Sequence, residues 1–251
     1  MASNLVRLGI PSIALLLATL FVVGVYAVER RVFDASRARR HTLFAALGIG
    51  GLLAFIAALA LSGLLARFDL RPPPLLLWMV STLGGALAVG LSPLGKRLAT
   101  GLPLVALVGF QAFRLPLELV MHRAALEGVM PGVMSYGGYN FDIVSGTTAL
   151  VLALFLSRGS VPRAVIVAWN VLGSLLLAVI VTIAFLATPL IRAFGDAQLN
   201  LWITQFPYSW MAVMVGAALL GHLLLARRLL QESAASSRQR SASVATARSA
   251  S

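Results

Sequence analysis

Runs of about 20 predominantly apolar residues recur seven times along this chain, near positions 8–28, 43–65, 75–93, 101–121, 142–161, 163–187 and 206–226. Wound as an α-helix at about 1.5 Å per residue, a run of that length matches the hydrocarbon core of a bilayer, about 30 Å thick. The composition agrees, with 59% hydrophobic and 11% charged residues, where soluble domains carry about 25% charged. The expected fold is an all-α integral membrane protein, a bundle of seven transmembrane helices with the lipid bilayer as its first partner.

A net charge of +12 raises the question of nucleic acid, and the placement of the charges answers it. Fourteen Arg and Lys fall in the connections 29–42, 94–100 and 158–163 and the tail from 227, whereas the N-terminus and the other three loops hold five. Alternate loops are therefore basic, which is the pattern of cytoplasmic loops flanking membrane spans and not of a nucleic-acid surface. The rule puts the C-terminus in the cytoplasm and, with seven spans, the N-terminus outside. The chain has no cysteine, so disulfides, thiolate metal sites and cysteine nucleophiles are excluded. The first apolar run is too long for a signal-peptide core and has no small-residue cleavage site before "ERRVF", so it reads as a retained helix. Abundant Leu, Ala and Arg with a single Lys fit a bacterial protein of a GC-rich genome, hence a multi-pass protein of the cell inner membrane.

Within the bundle, Ala46, Gly50, Ala54, Ala58 and Ser62 recur every four residues on the second span. Such a smooth face lets helix backbones approach closely in lipid, so a packing surface is expected there. "RPPPLL" at 71–76 breaks the chain between spans two and three. The two long connections, 122–141 and 188–205, both belong to the outer side, where binding surfaces tend to gather. Residues 1–230 form the transmembrane domain, and the Ser/Ala/Arg-rich segment 231–251 is expected to be a disordered cytoplasmic tail.

The fourth span carries the anomaly. In "GFQAFRLPLELVMHRAALEG", residues 109–128, Gln111, Arg114, Glu118 and His122 follow at intervals of three, four and four, which places them on one helix face. A charge in mid-membrane costs from about 3 kcal/mol on insertion scales to above 10 in simulations, so this face must turn inward or meet water. Pairing Arg114 with Glu118 lowers that cost, although Arg four residues before Glu is the weaker order on a helix. Pro116 between them frees the carbonyl of Ala112 and opens the helix wall. Further polar groups fall in the same outer half. Asn140 and Asp142 open the fifth span with a capping pattern, Ser145 follows one turn on, and Tyr208 starts the last span within "QFPYSW". The expected ligand-binding set is Gln111, Arg114, Glu118, His122, Asn140, Asp142, Ser145 and Tyr208; the plainer alternative is an ion pair that fixes helix four to its neighbours.

"FRLPLEL" on a span, "EGVMP" in the loop after it, "NFDI" opening the next span and "FPYSW" before a last helix ending "GHLLLARRLL" resemble a family of uncharacterised bacterial multi-span membrane proteins over roughly residues 100–230. The resemblance implies a membrane bundle and carries no activity with it.

Several chemistries can be weighed against the residues. A rhodopsin needs a lysine in its last helix, and the one lysine here, Lys96, lies in an inner loop. Bis-histidine haem needs two histidines at one depth, whereas His122 is placed at the outer side and His41 and His222 near the inner. Glu118 and His122 alone make a weak metal pair, and no metal site or cofactor is inferred. The leading expectation is a bundle that binds a small or lipid-derived anionic ligand, or a partner protein's segment, in an outer-leaflet pocket around Arg114. The alternatives are a membrane enzyme using Glu118 and His122 on a lipid or extracytoplasmic substrate, and an accessory subunit that docks by the polar stripe. The orientation is directly testable: a reporter active only outside the cytoplasm, fused after Ser251, stays silent, and activity there would invert the topology.

Overall fold

The computed structural model describes residues 2–249, with the side chains of 236 and 238–249 left aside. Among the described residues all regular structure is helical. The helices are α1 (Asn4–Val32), α2 (Ala35–Leu61), α3 (Pro74–Leu91), α4 (Pro93–Gly101), α5 (Leu104–Gly109), α6 (Arg114–Leu126), α7 (Asp142–Arg158), α8 (Arg163–Leu186) and α9 (Met211–Ser249). A 3-10 turn over Phe110–Phe113 joins α5 to α6, so that 104–126 is one span with a tightened middle. The cause is local, because Pro116 has no N–H for the carbonyl of Ala112 and its ring presses on the preceding turn.

Six of these spans are long and apolar enough to cross a membrane: Asn4–Val32, Ala35–Leu61, Pro74–Leu91, Leu104–Leu126, Arg163–Leu186 and Tyr208–Ala235. The remaining apolar segment, α7, has 17 residues. It packs along α5, α6 and α8 by one face, while Leu150, Val151, Leu154 and Phe155 are exposed on the other.

The spans Leu104–Leu126 and Tyr208–Ala235 are the most enclosed. α9 runs through the centre, touching α1, α3, α4, α5 and α8. α3 and α8 both lean on α9 but make little contact with each other, which leaves a gap between them. The tail from 231 continues α9 as far as Ser249. Ala and Arg are strong helix formers, so a helix already nucleated in the bundle can propagate through them.

Each end of the bundle has its own fastening. At the basic end, the fully buried carboxylate of Glu29 accepts from Arg97 Nε at 2.6 Å and meets His41 Nδ1 at 2.6 Å, joining α1, α2 and α4. At the opposite end, the Ser3 backbone N–H donates to Glu127 Oε2 at 2.7 Å, and Arg123 pairs with the other carboxylate oxygen at 2.5 Å. That backbone hydrogen bond holds the Glu127 carboxyl well below the usual range, at about 2.

The small-residue face of the second span is placed otherwise than expected. Gly50, Ala54, Ala58 and Ser62 are exposed, and Gly50 has nothing within 4 Å of a would-be Cβ. α2 instead meets α1 through its larger side, burying Leu53, Ile56 and Ala60. Leu and Ile offer more contact area there than the small stripe does, so the stripe is left facing away from the chain.

The backbones of α7 and α6 approach each other closely at Gly146. A Cβ on Gly146 would stand 2.3 Å from the Leu115 nitrogen and 2.8 Å from the Arg114 carbonyl carbon, so only glycine lets the backbones meet. Because backbone atoms cannot yield as side chains do, Gly146→Val lowers the melting temperature in detergent by the equivalent of about 3 kcal/mol or more, the upper end of overpacking costs. Gly84→Ala, where nothing lies within 4 Å, leaves it unchanged or raises it by up to about 1 kcal/mol. Equal effects of the two variants would contradict the packing described.

Candidate functional site

Arg114 is the largest fully buried side chain among the described residues, with 1% of its surface exposed. It lies ten residues from Leu104, and Gly173 lies ten residues from Arg163. At about 1.5 Å per residue both are about 15 Å from the basic end, in the middle of a bilayer-sized span. Their meeting is therefore a matter of matched depth.

The guanidinium is held from three helices. Its Nη2 approaches Asp142 Oδ2 on α7 to 2.5 Å as an ion pair, without the alignment of a hydrogen bond. Its Nη1 lies 3.0 Å from His222 Nε2 on α9 and 3.5 Å from the Gly173 carbonyl on α8. Since a guanidinium can only donate, His222 Nε2 accepts, and the proton of the imidazole sits on Nδ1, which donates to Asn170 Oδ1 at 2.9 Å. Asn170 Nδ2 returns a bond to the His222 carbonyl at 3.3 Å. Gly173 makes room for this ring, because a Cβ there would stand 2.5 Å from His222 Cε1.

Glu118 is 2% exposed and belongs to a second group. Asn140 Nδ2 lies 2.9 and 2.8 Å from its two oxygens and 3.1 Å from the Met134 carbonyl. Asn140 Oδ1 accepts the backbone N–H of Asp142 at 3.1 Å, so the capping role expected at the start of α7 falls to Asn140, leaving Asp142 free for Arg114. The expected pairing of Arg114 with Glu118 is thus replaced by Arg114 with Asp142. An interhelical partner wins because it joins α6 to α7 and escapes the unfavourable Arg-before-Glu order on one helix.

The rest of the expected set divides. Gln111 donates to the Ala218 carbonyl at 2.9 Å and packs on Gly221, so it fastens the span to α9. Ser145 is buried beside the cluster, within 3.5 Å of a Cβ built on Gly173. His122 stands apart: its Nδ1 lies 2.7 Å from Ser135 Oγ, and its ring stacks on Tyr136 at 4.1 Å. Tyr208 is buried against Trp202 at 5.6 Å. Leu117, three residues after Arg114 on the same face of α6, is 6% exposed, while Leu119 on the opposite side is 50% exposed.

Sequence reasoning missed His222 and Asn170. His222 was counted near the inner end of a span closing at 226, but its Nε2 meets Arg114 Nη1 at 3.0 Å, so the two groups share one depth. A histidine inside a span is itself a functional signal.

Beside the cluster lies a cavity of about 70 Å³. Its polar lining is Arg114, Glu118 and Asp142 on α6 and α7, with Asn200 farther toward the end opposite the basic one, where its Nδ2 donates to the Ala184 carbonyl at 3.1 Å. The walls are apolar and include Met79, Met121, Met134, Met211 and Met214, five of the seven methionines in the chain. Half-buried Met79, Leu83 and Val181 line it from α3 and α8, on either side of the gap between those helices. Asp142 Oδ1 and Asn200 Oδ1, both acceptors, have no hydrogen-bond partner. Among the described residues no group of three His, Cys, Asp or Glu is placed to hold a metal ion.

No protein-family model, curated protein or solved structure matches this chain.

A double-mutant cycle tests the pairing. Arg114→Met or Asp142→Leu alone destabilises the protein by about 3–5 kcal/mol, since each leaves an uncompensated buried charge, and the double variant recovers most of that loss. Arg114→Met with Glu118→Leu shows no such recovery. A larger coupling for Arg114 with Glu118 than with Asp142 would overturn the assignment.

Proposed function

We propose that this chain is a seven-span bundle of the bacterial inner membrane, basic end in the cytoplasm, that binds the polar head of a lipid-like molecule entering sideways between α3 and α8. The observation that carries the reading is the methionine-walled cavity whose lining includes Asp142, with an unpartnered Oδ1 beside Arg114, and Asn200, with an unpartnered Oδ1 nearer the end opposite the basic one. A space of about 70 Å³ cannot hold a whole lipid. It admits a head and the first carbons of a chain, whose remainder stays in the bilayer. Methionine suits such a wall, being flexible and polarisable enough to shape itself to an alkyl chain.

The head-group chemistry follows from the charges. With Arg114 paired to Asp142 and a second carboxyl nearby on Glu118, the polar lining sets two carboxyls against one guanidinium. A hydroxyl or amine fits it better than the anionic group that the sequence suggested. The enzyme reading draws no comparable support, because Glu118 and His122 engage separate partners. Nor does docking by the polar stripe, since Gln111, Arg114 and Glu118 are each 2% exposed or less.

A photoactivatable fatty alcohol in vesicles containing the protein should label the segment with Met211 and Met214, and unlabelled fatty alcohol or fatty amine should compete. Ala212→Phe, at a half-buried position lining the cavity, should abolish labelling without loss of the folded, monodisperse protein. Stronger competition by a fatty acid would return the anionic reading. Labelling no greater than at lipid-facing Leu119, or unaffected by Ala212→Phe, would sink the site.

A further inference from the structure

A second and larger hollow runs through the basic half of the bundle, from Leu98 and Leu102 up to Phe110 and Gly221, without including a residue that touches the Arg114 guanidinium. Its volume is about 430 Å³, within the range of about 300–1,000 Å³ typical of small-molecule sites. Leu20, Gly24 and Ala27 of α1, Leu102 after α4, Phe110 after α5 and Leu224 of α9 are among its walls, and every lining residue is apolar. α1 and α5 both pack on α9 but not closely on each other, so the hollow is a groove between them. In a bilayer an apolar groove of this kind is filled by hydrocarbon. The rim decides which lipid supplies it.

Two arginines stand one helical turn beyond the groove on its basic side, Arg31 after Ala27 on α1 and Arg228 after Leu224 on α9. Both reach the last carbonyls of α4: Arg31 Nη1 donates to Gly101 O, and Arg228 Nη1 to Thr100 O at 2.7 Å. Arg228 also pairs with Glu232 at 2.5 Å, whereas Arg31 has no acidic partner among the described residues. Exposed Lys96 shares a helix face with Thr100 four residues on. An apolar slot that ends under Arg31, a cation with no acidic partner among the described residues, has the layout of a phospholipid: acyl chain in the groove, phosphate at the rim.

We propose that this groove binds an anionic phospholipid of the leaflet adjoining the basic end, with an acyl chain along α1 and α5 and the phosphate at Arg31. The chemistry differs from that of the Arg114 cavity, since this head group is negative and the contact lies at the membrane surface.

The test uses native mass spectrometry of the full chain, released from vesicles that contain equal phosphatidylglycerol and phosphatidylcholine. One phosphatidylglycerol should be retained in preference to phosphatidylcholine. Arg31→Gln should lower that preference roughly fivefold, the effect of one near-surface cation, and Arg31→Lys should restore it. Gly24→Leu tests the groove separately. A Cβ there meets only the Leu98 and Leu102 methyls at 3.8 Å, so the side chain enters open space and the fold survives. It should displace the lipid while the basic rim is unchanged. Equal retention of both lipids overturns the proposal. So does a phosphatidylglycerol preference that persists in Gly24→Leu, which would belong to the basic surface at large.

Discussion

A guanidinium in the middle of a membrane tolerates few surroundings, and the bundle is organised around supplying them to Arg114. The carboxylate of Asp142, the imidazole of His222 and the Gly173 carbonyl come from three different helices. Each must stand at one depth and face one point. The two glycines at the contact follow from this: Gly146 lets α7 reach α6, and Gly173 lets the His222 ring lie flat enough to receive the guanidinium. In hydrocarbon there is little hydrophobic force between helices. A polar centre that is costly to break therefore selects one arrangement of α6, α7, α8 and α9 over others of similar apolar contact.

The arrangement has a residue of unspent hydrogen bonding. Asp142 Oδ1, Asn200 Oδ1 and Gln111 Oε1 are buried without partners, which is unusual for acceptors in a close-packed interior. Two of these three residues, Asp142 and Asn200, line the methionine-walled cavity, whereas Gln111 does not. The open acceptors of Asp142 and Asn200 therefore face a space that a donor group could enter, which is the premise of the proposed site.

Six of the seven expected spans were legible from the sequence because hydropathy over about 20 residues is a signal integrated over many side chains. Arg114, Glu118, Asn140 and Asp142 were legible as a group because polar residues in hydrocarbon have few innocent explanations. Who pairs with whom was not. Pairing across helices depends on relative rotation and depth, and neither is written in the spacing along one helix. Local spacing suggested Glu118 for Arg114; packing supplied Asp142. His222 was misplaced for the same kind of reason, since its depth depends on where α9 leaves the membrane. The alanine and glycine stripe on α2 shows the converse error, a pattern well suited to close packing that none of the described helices uses.

The length of α7 has a consequence for the membrane itself. Its 17 residues extend for about 25 Å, short of a hydrocarbon core of about 30 Å. Asp142 begins the helix and is drawn inward to Arg114, so the chain before it, with Asn140 and Met134, must sink below the surface as well. For α7 to cross as proposed, the lipid beside it has to thin or the flanking loops must fill the difference. Either way the protein is matched to a bilayer of limited thickness, and a thicker, more ordered one would strain the contact that holds α6 and α7 together.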